Sequence, residues 1–265
     1  MVEPSDHPDN TTPGIGNLLR QVSVAGLFLT RLPFRLKGDL KTSELAAAVW
    51  SFPLIGLLVG VVSGGALMGA AELNLHPLAC AFIALIVSAL VTGALHEDGL
   101  ADLADGFGGG RTRAGKLRIM RDSHIGTYGV LALVFSVGLR TSLLAGLLGP
   151  GMAAATLVGA AVLSRSFLPG LMYVMPRARV DGLAASAGRP KATRAVVALV
   201  LGCLICWPFL GTWVAPVALI MALLSTLVMA FIAHRQIGGY TGDVLGGTQH
   251  IVEITILVTA GAYAI

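Results

Sequence analysis

Long apolar runs separated by short polar segments dominate the chain. Runs near or above the ~20 residues needed to cross the hydrocarbon core of a bilayer predict spans at Leu45–Ala71, Leu75–Leu95, Tyr128–Leu148, Met152–Met175, Ala195–Leu210, Trp213–Ala233 and Gly246–Ile265. The fifth is short and carries Pro208, which predicts a tilted helix or a tight hairpin with the sixth. Residues Ile15–Pro33 alternate apolar and polar positions, the pattern of a helix lying in the membrane interface. Residues 1–14 are polar and predict a disordered tail; their acidic start without an apolar core does not read as a cleavable signal. The expected fold is all-α: a polytopic membrane helical bundle of about seven transmembrane helices behind an N-terminal interfacial helix, with 15–265 as a single integral-membrane domain.

Composition strengthens this reading. The 265 residues are 55% hydrophobic and only 12% charged, with mean hydropathy +0.81. A soluble domain carries about 25% charged residues, so a soluble globule, a disordered chain and a nucleic-acid-binding domain are excluded. The lipid bilayer is the expected surrounding and no nucleic-acid partner is expected. Cys80, Cys203 and Cys206 lie in apolar runs. The Cys203-Leu-Ile-Cys206 spacing has no second pair or nearby His, so these read as inert core thiols.

Charge then orients the bundle. Of 18 Lys and Arg, 16 fall on alternate connections: five before Leu45, five between Arg111 and Arg121, five between Arg177 and Arg194, and Arg235. Basic residues mark the cytoplasmic side. The expected arrangement is therefore multi-pass, with the N-terminus cytoplasmic and, after seven spans, the C-terminus outside. Arg140 and Arg165 fall inside spans.

The acids gather on the same side. Asp98, Asp102 and Asp105 are spaced i, i+4, i+7; on a helix continuing from the second span they share one face. Stacked carboxylates repel one another and call for a cation, and hard oxygen ligands suit Mg²⁺ held together with substrate phosphates. Gly106-Phe-Gly-Gly-Gly-Arg111-Thr-Arg113 follows; glycines admit an anion to backbone N–H groups and two arginines can clamp phosphate oxygens. No GxxxxGK[ST] motif is present, which argues against ordinary nucleotide hydrolysis. A second polar cluster, Gly238–Gly247 followed by His250 and Glu253, predicts a re-entrant loop bringing Asp243 to the surface. Glu253 inside a span needs a ligand, a metal or a basic partner; Arg140 and Arg165 are the candidates. Charge chemistry alone thus points to a membrane enzyme handling phosphates with a divalent metal.

Asp102-Leu-Ala-Asp105-Gly106 echoes the opening of the CDP-alcohol phosphotransferase motif, but the rest of that motif does not follow. A fuller resemblance is carried by Phe28-Leu-Thr-Arg-Leu-Pro33, Trp50-Ser-Phe-Pro-Leu-Ile-Gly56, Leu95-His-Glu-Asp-Gly-Leu-Ala-Asp-Leu-Ala-Asp-Gly106, Met120-Arg-Asp-Ser-His-Ile-Gly-Thr-Tyr-Gly129 and Gly239-Tyr-Thr-Gly-Asp-Val-Leu-Gly246. In order and over nearly the whole chain, these resemble the motifs of the cobalamin synthases, the adenosylcobinamide-GDP ribazoletransferases. Weaker matches are Ser164-Arg165 and Ala178-Arg-Val-Asp-Gly-Leu183. Glu97 and His250 depart from the pattern, standing where the family usually has an apolar residue and often a carboxylate.

The resemblance implies a Mg²⁺-dependent phosphotransferase of the bacterial inner membrane, with its active site cytoplasmic, joining adenosylcobinamide-GDP to α-ribazole, or its 5′-phosphate, with release of GMP. Either a homo-oligomer or a complex with other corrinoid enzymes is compatible with it. The expected metal ligands are Asp98, Asp102, Asp105 and Glu253. Asp243 either completes the metal site or acts as base, and His96 is the alternative base although it lies off the carboxylate face of a regular helix. Arg111, Arg113, Arg165, Asp122 and Thr241 are the expected substrate contacts. A transporter would instead show inverted repeats and a midplane site, and neither is visible; a non-catalytic scaffold would not need three stacked carboxylates.

Overall fold

In lipid every backbone N–H and C=O must be satisfied within the chain, so apolar runs of this length become helices. A computed structural model describes residues 14–36, 38, 44–179 and 188–263, and among them there is no strand, only one isolated parallel bridge between Arg177 and Tyr240. The expected polar tail, apart from Gly14, lies outside the described residues, as do Lys37, Lys41 and Asp181.

The elements are α1 (Ile15–Leu29), α2 (Glu44–Ala48), a 3-10 turn (Val49–Ser51) leading into α3 (Phe52–Glu72), α4 (Pro77–Thr92), α5 (Leu95–Gly109), α6 (Arg113–Ile119), α7 (Thr127–Gly146), α8 (Gly149–Ser166), α9 (Leu168–Val174), α10 (Ala192–Ile237) and α11 (Gly242–Tyr263). Among the described residues five helical stretches are long and apolar enough to cross a bilayer, and six when α4 and α5 count as one broken span. The 46-residue α10 is broken at Gly211, whose φ of 74° and ψ of 173° are not helical. As one straight rod it would be about 69 Å long, over twice the hydrocarbon thickness. Its contacts show that the chain reverses there. Arg194 Nη1 reaches Gln21 Oε1 on α1 (3.4 Å), and at the other terminus the Ile237 carbonyl accepts from Arg113 Nε (2.7 Å). The two ends of α10 thus lie at the same end of the bundle, while Leu210 packs on Gly159 in the middle of α8. Two arms therefore stand where the fifth and sixth spans are expected, and the fold is an all-α polytopic membrane bundle.

The second expected span does not run on into its acidic segment. Gly93 (φ 65°) and Ala94 (φ 55°) are successive left-handed residues, a conformation that ends a right-handed helix. After them α5 departs at 91° from α4. The carboxylates still share a helix, but a separate one, wedged between α11 and α7. Glycines set the closest helix contacts. Gly56, Gly60 and Gly64 form a stripe at i, i+4, i+8 on α3, packed on Ala161, Val158 and Ala154 of α8. In lipid, such small residues let helix backbones approach and gain van der Waals contact. The amphipathic α1 is tied to the bundle by the Arg31 N–H donating to the Val91 carbonyl at 2.8 Å and by an Arg20–Glu44 ion pair at 3.0 Å.

Candidate active site

A turn, a backbone pairing and a close helix contact bring the polar motifs together. Following α10, Gly238–Thr241 form a tight turn, so the expected re-entrant loop is absent and Asp243 sits in the first turn of α11. Thr241 caps that helix: its Oγ1 accepts from the Val244 N–H (3.2 Å) and donates to Asp243 Oδ2 (3.0 Å). The segment after α9 pairs with this turn, Ala178 N–H donating to the Tyr240 carbonyl and Tyr240 N–H to the Pro176 carbonyl, each at 2.9 Å. That pairing places Arg179 Nη2 3.4 Å from Asp243 Oδ2. Gly99 of α5 then packs directly on Gly246 and the Asp243 backbone of α11. Side chains at these two glycines would hold Asp98 and Asp243 apart.

Asp98, Asp243, Arg179 and His96 consequently line one cavity of about 170 Å³, together with apolar side chains including Phe28 and Phe52. His96 lies on this cavity because α5 starts there, although regular helix geometry puts it off the carboxylate face. It is buried, and its Nε2 has no hydrogen-bond partner among the described residues. Asp102, one turn beyond Asp98, feels the charges of Asp98, Asp243 and Asp105, with Arg179 opposing them.

The other expected site residues have different surroundings. Asp105 accepts from the N–H groups of Gly126 (2.7 Å) and Gly129 (2.9 Å), so both of its oxygens cap α7 from a neighbouring helix. The glycine-rich segment is helical through Gly109 rather than an open anion loop; Gly106 packs on Met120 and Gly108 on Tyr128. Arg113 donates to the carbonyls of Ile237 (2.7 Å) and Ala178 (2.9 Å), clamping the two paired segments beneath Arg179. Arg111 and Asp122 are exposed. His124 beside Asp122, 2.7 Å away, holds that carboxyl below the usual carboxylate range.

A buried ionic network lies behind His96. Arg140 Nη1 donates to Glu253 Oε1 at 2.8 Å, its Nη2 is 3.6 Å from Glu97 Oε1, and His250 Nε2 is 3.5 Å from the same oxygen. Gln249 Nε2 donates to Glu253 Oε2 (2.7 Å) and to Ser164 Oγ (3.0 Å). Arg140 is thus the basic partner that Glu253 requires, and the two residues that depart from the family pattern, Glu97 and His250, touch one another. Arg165, 1% exposed, donates to the Ala161 carbonyl (3.0 Å), and its Nε has no partner among the described residues.

The model of the cobalamin-5-phosphate synthase family matches residues 21–261. The chain belongs to that family. Among relatives of this synthase, the adenosylcobinamide-GDP ribazoletransferase of Bradyrhizobium diazoefficiens is 45% identical over 252 residues, covering 95% of this chain and 97% of the relative. Those of Azorhizobium caulinodans and Mesorhizobium japonicum are 41% and 42% identical, covering 93% and 95% of this chain and 97% and 96% of theirs. No solved structure matches the chain significantly. For a cobalamin synthase, the residues that sequence reasoning passed over are Arg179, Phe28 and Phe52. All three stood inside segments quoted for the family resemblance, and the polar chemistry of neighbouring residues drew attention from them.

Proposed function

We propose that the chain is an adenosylcobinamide-GDP ribazoletransferase of the inner membrane, with its active site on the cytoplasmic side. The observation that carries this is the meeting of Asp98 and Asp243, from helices far apart in sequence, with Arg179 and His96 around one cavity. Attack by a ribose hydroxyl that is free in both α-ribazole and its 5′-phosphate, on the phosphorus bearing the cobinamide, forms one P–O bond. It breaks the bond to the departing GMP. Such transfers depend on positioning and charge stabilisation. His96 Nε2, without another partner among the described residues, takes the hydroxyl proton. Arg179 and the buried Arg165 supply positive charge near the diphosphate.

The donor set fits Mg²⁺ only in part. Among the described residues no group of three or more His, Cys, Asp or Glu is placed to hold a metal alone. Mg²⁺ commonly takes one or two carboxylates and completes its shell with substrate phosphates and water. Asp98, Asp102 and Asp243 are the carboxylates with capacity for that role, since Asp105 caps α7 and Glu253 pairs with Arg140. A bound Mg²⁺ would neutralise the diphosphate and polarise its phosphorus.

The test is product formation. Purified protein in detergent, given adenosylcobinamide-GDP, α-ribazole and Mg²⁺, should release GMP and cobalamin in equal amounts, and EDTA should stop both. Absence of cobalamin, with either acceptor form, would reject the assignment.

A further inference from the structure

Arg113 follows the glycine-rich segment and reads, in sequence, as half of a phosphate clamp. Its geometry gives it different work. Nε and Nη2 form one edge of the guanidinium fork, the kind of edge that grips two oxygens of a phosphate. Here that edge holds the carbonyls of Ile237 (2.7 Å) and Ala178 (2.9 Å), 124 and 65 residues away in sequence. Ile237 is the last residue of α10, where carbonyls have no intrahelical donor, and Ala178 lies in the irregular segment after α9. One side chain from a third segment satisfies both.

What those carbonyls adjoin decides what the bonds do. Ala178 immediately precedes Arg179, which lines the cavity beside Asp243. Arg179 has Nη2 3.4 Å from Asp243 Oδ2, while its Nη1 is buried without a partner among the described residues. A guanidinium with one donor on a carboxylate and another unengaged at a cavity is set to receive an anion. Asp243 is fixed independently, by the Thr241 cap and by Gly246 packed on Gly99. Arg179 stands outside any helix, so its place depends on the pairing of its segment with the turn before α11 and on Arg113 joining the two. A side chain at Gly239 would run into the Pro176 carbonyl, so the pairing is close. Arg113 in turn is held by the carboxylate helix. Thr112 Oγ1 accepts from the Gly115 N–H (3.1 Å) and caps α6, fixing where Arg113 leaves it. Gly106 of α5 packs on Met120 just past α6, and Lys116 of α6 bonds Gln236 on α10. Arg113 therefore ties the helix that carries Asp98 and Asp102 to the segment that carries Arg179.

We propose that Arg113 is a positioning residue that sets Arg179 in the cavity, not a contact to substrate, an inference that rests on the transferase reading. A double-mutant cycle in full-length protein in detergent tests it. Arg113→Ala should lower kcat/KM for adenosylcobinamide-GDP at least about tenfold. In an Arg179→Ala background the same change should cost less than about twofold more, because the residue it positions is gone. Losses that multiply, as a direct phosphate contact or a general loss of folding would give, would overturn the proposal. Arg113→Lys keeps the charge but cannot fork two carbonyls, and should stay within about threefold of the alanine variant; near-normal activity would equally overturn it. Hydrogen–deuterium exchange reads the clamp without turnover. The Ala178 and Tyr240 amides should exchange faster in Arg113→Ala and keep their original rates in Arg179→Ala. Unchanged exchange in Arg113→Ala would remove the clamp. Failure of the unaltered protein to release GMP would sink the transferase reading instead, and exchange would still decide whether Arg113 holds the Arg179 segment.

Discussion

Asp102 and Asp105 lie one helical turn apart on α5 and should respond to substitution in different ways. Asp105 holds two N-terminal N–H groups of α7, so Asp105→Ala should cost about 1–3 kcal/mol, read as a lower melting temperature in detergent. An unaltered melt accompanied by a raised Mg²⁺ requirement would show that Asp105 is a ligand after all. Asp102 has no such structural duty. Asp102→Asn should leave insertion and melting intact, cut turnover by at least about a hundredfold, and raise the Mg²⁺ concentration needed, with Mn²⁺ restoring part of the rate. Near-normal activity at low Mg²⁺ would remove Asp102 from the metal site. The i, i+4, i+7 spacing made the carboxylate ladder legible. What it could not reveal is that the third carboxylate is engaged, because its partners are backbone groups 21 and 24 residues away and leave no side-chain signature. Arg113 was opaque for the same reason: a guanidinium that clamps two carbonyls looks, in sequence, like one waiting for phosphate.

At the level of elements, apolar run length located the spans well, and the interruptions within them less so. Pro208 pointed toward the hairpin near the start of the sixth span, but the turn itself is at Gly211. The break between α4 and α5 depends on two residues in the left-handed region, one of them Ala94, which carries no turn signal. The α3 stripe is a sequence pattern that was present and unread. It yields a direct comparison on one helix. A Cβ on Gly60 would come within 2.7 Å of Val158 Cα on α8, whereas nothing lies within 4 Å of the position on Gly65. Gly60→Ala should therefore force α3 and α8 apart and destabilise the bundle by about 1–3 kcal/mol. Gly65→Ala should be neutral or stabilising by up to about 1 kcal/mol, since alanine is the better helix former. Melting curves of the two variants decide this, and equal shifts would mean that the stripe does not set the helix contact.

For the whole molecule, the partition of charge along the chain reappears as contacts at one end. Arg113 reaches Ile237 and Ala178, Lys116 reaches Gln236, Arg189 reaches the Tyr173 carbonyl and Arg194 reaches Gln21. The basic connections are thus drawn together by their own side chains, and the carboxylate cavity opens among them. At the opposite end, Asn74 and Pro77 meet Leu147 and Gly149 around an apolar cleft. A diphosphate-bearing substrate would meet positive potential at this basic end, which favours its encounter. Orientation is therefore as testable as the fold. Reporter fusions after Arg113 and Arg189 should read cytoplasmic, and those at Gly149 and Gly211 external. Gly211 is the decisive position. A hairpin there returns the chain to the side it came from, so Arg194 and Ile237 share a face and the number of passages is odd. Were α10 a single crossing, a fusion after Ile237 would read external and the Asp243 turn would lie across the membrane from Arg113, a separation that the 2.7 Å bond from Arg113 to Ile237 does not permit.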